Sequence, residues 1–229
     1  VTPPPPALPA AVLWDMDGTI IDTEPYWIAE EHLLVEAAGG VWSEADAHDL
    51  VGQDLLHSAR IILERTPVTG TPEDVVHRLL HAVARRTRER LPWRPGAREL
   101  LAELGDRGVP CALVTMSWTT LAEVLVDRLP EGTFAAVVTG EQVAHGKPHP
   151  EPYLEAARRL GVDPAACVAL EDSPTGAASA TAAGVPTLVV PHVVAVPEMA
   201  GAVHVASLAG VGAEDLLRLV RAAGPAPSA

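Results

Sequence analysis

The chain is short of lysine, of basic charge in general, of cysteine and of long apolar runs. It has sixteen basic residues against thirty acidic ones, for a formal net charge of −14. So negative a chain lacks the basic face that nucleic-acid binding needs, and no nucleic-acid partner is expected. The same field repels anions, so an anionic substrate would have to rely on a local positive group. Of the sixteen basic residues fifteen are Arg and one, Lys147, is Lys. Genomic base composition can produce such a bias. A site that needs a compact ammonium rather than a planar guanidinium would also keep a lone Lys. The two cysteines, Cys111 and Cys167, each lie inside a short apolar run and read as buried free thiols rather than a disulfide or a metal pair. No apolar run approaches the roughly 20 residues of a membrane span, so no membrane partner is expected.

What is present describes a globular chain, with 48% hydrophobic residues among 229. The opening V-T-P-P-P-P-A-L-P carries no basic residue and reads as a Pro-rich disordered lead-in over 1–9, neither signal nor transit peptide; a cytoplasmic location is the expectation. A matching flexible tail is expected over 225–229. Ala11 to Trp14 has the length and character of a buried parallel strand. From Glu24 to about residue 92 the pattern is helical throughout. Ser43 with Asp46 resembles a capping box, Asp54 can cap a third helix, and Thr71-Pro72-Glu73-Asp74 opens a long fourth one. After L-P-W-R-P-G the chain alternates helix and strand to its end, which predicts right-handed crossovers and a parallel sheet covered on both faces. The first strand has no βα partner unless it joins that later sheet. The expected fold is therefore α/β: a Rossmann-like core from 10–23 and 93–224, interrupted by an all-helical domain over 24–92.

Polar residues gather at the predicted strand ends. Asp15 and Asp17 follow the first strand in D-M-D-G-T, and acids so close repel each other unless a cation or a shared proton is present. A solvated turn is the plain alternative. Thr115 ends the second strand, with Met116 and Ser117 after it; its hydroxyl and the adjacent amides can donate to a phosphate-sized anion. Lys147 lies in the Pro-rich loop H-G-K-P-H-P, and Glu171-Asp172 close the run A-C-V-A-L. In open α/β sheets ligands bind outside the carboxyl ends of the strands, where all these residues would meet. Hard carboxylate oxygens from two strand ends suit Mg²⁺ together with a substrate phosphate. Asp15 is then placed to attack phosphorus and Asp17 to protonate the leaving oxygen.

The ordered set D-M-D-G-T, Thr115, Lys147 and Glu171-Asp172 resembles the haloacid dehalogenase superfamily of phosphohydrolases, with a helical cap between the first two motifs. D-T-E-P-Y-W (22–27) and C-V-A-L-E-D-S (167–173) resemble its sugar-phosphate and hexitol-phosphate phosphatases. The resemblance implies that Asp15 is the nucleophile and Asp17 the acid/base. It also implies that Asp15, the main-chain carbonyl of Asp17, and Asp172 hold Mg²⁺ with support from Glu171, and that Thr115 and Lys147 bind the phosphoryl group. A small phosphorylated metabolite is the implied partner and a monomer the family default. Dehalogenases of the superfamily lack a carboxylate at the position of Asp17. The β-phosphoglucomutase-like enzymes share all four motifs, but use a His where this chain has Trp27 and an Arg where it has Leu55; both departures favour hydrolysis over phosphoryl return. A non-catalytic binding relative would have no need to keep charges together at 15, 17, 171 and 172. Substrate choice is expected from the cap, with Glu24, Tyr26, Trp27, Gln53, Asp54 and His57 as candidates. His145 and His149, which flank Lys147, read as loop residues.

Overall fold

The structure, a computed structural model, describes residues 8–51 and 55–222. Nearly all of the expected Pro-rich lead-in, the whole of the 225–229 tail, and Gln53 and Asp54 lie outside the described residues. Strand β1 (Val12–Trp14) is followed by four helices, α1 (Glu24–Ala37), α2 (Glu44–Leu50), α3 (Leu55–Arg65) and α4 (Pro72–Glu89). Then come α5 (Ala97–Asp106), β2 (Cys111–Val114), α6 (Thr119–Val126), β3 (Ala136–Val138), α7 (Glu151–Leu160) and β4 (Val168–Glu171). The chain continues through α8 (Pro174–Ala182), β5 (Thr187–Val189), β6 (Ala202–His204) and α9 (Ala213–Ala222).

All six strands are parallel, in the order β3-β2-β1-β4-β5-β6. The expected α/β core is therefore present, and β1 has neighbours on both sides only because the chain returns to it after the helices. Trp14 lies opposite Leu113 on one side and Leu170 on the other. The strand order reverses at β1, and the carboxyl ends of β1, β2 and β4 frame the resulting crevice, where a ligand site is expected.

Alternating side chains build the two faces of the core. Val12, Trp14, Leu113, Leu170 and Leu188 pack with Leu100, Leu104, Leu121, Leu125 and Leu216 from α5, α6 and α9. Ala11, Leu13, Ala112, Val114 and Ala169 pack on the other face with Tyr153, Ala156 and Ala180 from α7 and α8. A third cluster lies within the helical block itself, made of Val35, Trp42, Ala47, Leu50, Ala59, Ile62, Val68, Val75, Val76 and Leu79. Helix α4 serves both: its first half joins that cluster, while Leu80, Val83 and Ala84 pack into the sheet's. The capping box of Ser43 with Asp46 forms as expected, and the expected Thr71 cap is completed into a second box by Asp74.

The chain leaves and re-enters the sheet through two paired segments. Ile21 bridges to Trp93, the Asp22 amide donates to the Pro92 carbonyl (2.9 Å), and the Arg94 amide to that of Ile20 (2.8 Å). No described helix is long and apolar enough to cross a membrane.

Gly96, at the start of α5, has φ +83°, and a Cβ there would overlap the Leu208 carbonyl. The replacement Gly96→Ala should therefore cost about 1–3 kcal/mol of stability. Urea unfolding should show a lower midpoint with an unchanged slope.

Candidate active site

Four elements bring the predicted residues together. Asp15 follows β1, its amide bonded to the Leu170 carbonyl (3.0 Å), so the β4 ladder sets its direction. Thr115 follows β2 and is buried. Glu171 is the last residue of β4 and Asp172 comes next. Lys147 arrives from the loop before α7, its amide donating to the Met116 sulfur (3.3 Å).

Lys147 Nζ spends all three of its protons on this site. It donates to Asp15 Oδ1 (2.7 Å), Glu171 Oε1 (2.6 Å) and the Val114 carbonyl (2.9 Å). Burial favours a neutral amine here, but the charges of Asp15 and Glu171 outweigh it and hold Lys147 above its usual range. Glu171 is fully buried and fully bonded. Its Oε1 also accepts from Tyr153 Oη (2.6 Å), and its Oε2 faces the Asp172 amide (3.2 Å) and Ser173 Oγ (3.2 Å). Two glycines make room for these acids: a Cβ on Gly18 (φ +86°) would overlap the Asp172 carboxylate, and one on Gly176 that of Glu171.

Asp17 stands apart from this group. Its Oδ1 accepts from Thr23 Oγ1 (2.6 Å) and its Oδ2 from Ser117 Oγ (2.6 Å). Thr23 occupies the N-cap position of α1 yet makes no side-chain cap bond. A cap hydroxyl is worth about 1 kcal/mol to a helix, and here it is turned to Asp17 instead. Thr115 Oγ1 accepts the Ser117 amide (3.0 Å), which aims the Ser117 hydroxyl.

Among the expected substrate contacts, Met116 underlies the Lys147 loop and Ser117 is bonded to Asp17, as just described. Glu24, at the start of α1, is half-buried; burial, then the charges of Asp17 and Asp22, push its carboxyl up to about 7. Trp27 packs against both the sheet cluster and the helical cluster, as a hinge aromatic does. Two residues not singled out from the sequence belong to the site, Thr23 and Tyr153. Thr23 reads as an ordinary cap and Tyr153 as one apolar position of a helix, so only the tertiary contacts reveal them.

The donor set suits a hard divalent cation. Asp15 Oδ2 is buried with no hydrogen-bond partner, and Asp15, Glu171 and Asp172 each offer a carboxylate oxygen within 4.8 Å of the others. Acids gathered in this way need a counter-charge beyond one ammonium.

Comparison with known proteins places the chain in a family. A family model for the haloacid dehalogenase-like hydrolases matches residues 9–184, and the chain belongs to that family. Hexitol phosphatase B of Escherichia coli strain K12 is 32% identical over 213 residues, spanning 90% of this chain and 96% of that protein. The crystal structure of CbbY from Rhodobacter sphaeroides in complex with xylulose-(1,5)bisphosphate superposes with a TM-score of 0.77. Its identity is 26%, and the match covers 90% of this chain and 97% of that one. β-Phosphoglucomutase from Clostridium difficile shares the fold at 20% identity, with a TM-score of 0.73 over 94% of this chain and 99% of that one.

With divalent ions chelated, burial raises the Asp15 carboxyl to about 7 and the Asp172 carboxyl to about 9, helped by their acidic neighbours and opposed by Lys147; burial raises Asp17 as well. The folded chain therefore keeps protons that the unfolded chain has released above its usual value of 3.8. Stability should fall as pH rises from about 4 to about 9. Thermal unfolding in chelator across that interval should show the decline, and Asp172→Asn should flatten it.

Proposed function

We propose that this protein is a Mg²⁺-dependent phosphatase of small phosphate monoesters, a sugar or sugar-alcohol phosphate, working through an aspartyl-phosphate on Asp15. The observation that carries the reading is the state of Asp15: one oxygen is held by Lys147, and the other is buried without a partner. A carboxylate fixed in direction at one oxygen and bare at the other has capacity left for new bonds in the crevice. Asp15 and Asp172, with the Asp17 main-chain carbonyl and Glu171 in support, would hold Mg²⁺, which when bound offsets the charge of the phosphoryl oxygens.

In the first half-reaction the unpartnered Asp15 oxygen attacks phosphorus and the bond to the sugar oxygen breaks. Asp17 gives that oxygen its proton, so the product leaves as an alcohol. In the second, Asp17 takes a proton from a water whose oxygen attacks the aspartyl-phosphate; phosphate departs and Asp15 is restored. Asp17 suits both steps, because its partners are hydroxyls. Thr23 and Ser117 can each donate to the carboxylate or accept from the acid, so neither form is left unsatisfied. Burial raises its affinity for the proton. Lys147 and Thr115 would bind the transferring phosphoryl group, Lys147 by giving up one of its three present acceptors to a phosphoryl oxygen, with Met116 and Ser117 next to Thr115 in the chain.

The helical block 24–92 is read as a cap that closes over the site and excludes water. Its separate apolar cluster and its two paired connections support this, as do Trp27 and Glu24 at the first of those connections. The 32% identity to a hexitol phosphatase over nearly the whole chain supports the substrate class. Buried free thiols at Cys111 and Cys167 accord with a cytoplasmic location.

A screen of phosphorylated sugars and sugar alcohols, scored for free phosphate, should show turnover that chelator removes and Mg²⁺ restores. Asp15→Asn should lower kcat by at least about 10³-fold; wild-type turnover in that variant would overturn the covalent path. Interconversion of hexose phosphates after addition of a bisphosphate activator, without net phosphate release, would identify a mutase instead.

A further inference from the structure

Outside the acid crevice, one further group of metal-ligating side chains converges among the described residues: His145, His149 and Glu151. It lies on the far side of the loop whose inward residue is Lys147. His145 Nδ1 is 2.8 Å and His149 Nδ1 3.9 Å from the same oxygen, Glu151 Oε2, and the two imidazole rings are 4.6 Å apart. A tetrahedral ion with bonds of about 2.0–2.1 Å sets its ligand atoms roughly 3.4 Å apart. The two observed separations bracket that value, so small ring rotations suffice.

The cluster is also supported from behind, as ligand sets usually are. Glu151 is oriented by the amides of Ala144 (2.7 Å to Oε1) and His145 (3.1 Å to Oε2). The His149 amide closes a turn on the Gly146 carbonyl (3.0 Å), and the His149 carbonyl accepts from Ser179 Oγ on α8 (2.6 Å). The Glu151 amide faces His149 Nδ1 at 3.2 Å and His145 Nδ1 bonds Glu151 Oε2 at 2.8 Å, and an ion would replace both hydrogen bonds with bonds to the metal. The donor chemistry differs from that of the crevice: two imidazoles and a carboxylate select a borderline transition ion, whereas carboxylates alone suit Mg²⁺.

We propose that His145, His149 and Glu151 form a second, peripheral metal site for a Zn²⁺-class ion, and that the bound ion braces the loop that presents Lys147. Two ligands flank Lys147 in sequence and the third opens α7, so one ion ties both ends of the loop together. The fourth position is left to water, since both His side chains are more than half exposed, at 66% and 51%.

The test is Zn²⁺ titration of the chelator-treated full chain by calorimetry, in the presence of excess Mg²⁺ to fill the carboxylate crevice. One micromolar Zn²⁺ site is expected, weakened at least about 100-fold in His145→Ala/His149→Ala, with His149→Gln alone intermediate. Because both imidazoles are exposed, the double variant should unfold at the wild-type temperature without metal. Zn²⁺ should raise the unfolding temperature of the wild type and not of the double variant. It should also slow amide exchange over 144–150 in the wild type alone. The proposal is overturned if Zn²⁺ fails to bind, if Mg²⁺ displaces it, if the double variant binds it equally well, or if exchange in the loop is unchanged. None of these readouts depends on turnover, so failure of the phosphatase reading leaves this test intact.

Discussion

Everything in the crevice depends on one ammonium among acids. Asp15, Glu171 and Asp172 crowd a largely buried space at the carboxyl ends of two strands, and Lys147 is the cation bonded to the first two of them. Two opposite unit charges 4 Å apart attract by roughly 4 kcal/mol at an effective dielectric near 20, and Lys147 meets two carboxylates at shorter range. Removing it would strand buried charges, at a typical cost of about 3–5 kcal/mol. The geometry also explains why a chain that otherwise uses Arg has Lys here. Three acceptors on three elements converge on one nitrogen, which suits a tetrahedral ammonium; a guanidinium spreads its donors in a plane.

Around that centre the fold assigns different jobs to similar residues. Glu171, bonded on every side, anchors Lys147 and Tyr153. Asp15, held at one oxygen only, has reactive capacity left. Asp17, a short way along the same loop, is withdrawn from the ammonium and given hydroxyl partners instead. The two acids of D-M-D-G-T differ through what β2, the Lys147 loop and α1 bring to each of them. Thr23 is the most telling of these contributions. It stands where the helical block begins, and its hydroxyl reaches back to Asp17 rather than capping its own helix. The surroundings of the Asp17 carboxylate are thus linked to how α1 leaves the sheet.

Much of this was legible in the residues themselves. Short apolar runs separated by helical periods specify a parallel sheet, and a first strand without a nearby partner implies an interruption before the sheet resumes. The strand-end acids and the lone lysine could be placed at a common edge, because sheet topology sends all strand ends to the same side. Thr23 and Tyr153 could not be found this way. Their roles rest on contacts across 6 and 18 residues, with side chains whose local context already supplies an ordinary explanation. The Trp27 ring was equally readable as a sugar platform or a hinge aromatic, and it packs against both clusters. Ser117 was legible as a polar group near phosphate but not as the partner of Asp17, 100 residues away along the chain.

The lone lysine has one more consequence. Its side chain is only 5% exposed and roofed by the elements that make the site, so the protein's single ε-amine is also one of its most sheltered polar groups. On most proteins an amine-directed reagent labels a scatter of surface positions and says little about any of them. On this chain ε-amine acylation has one address, at the floor of the crevice, and its rate becomes a clock for how often that floor is uncovered.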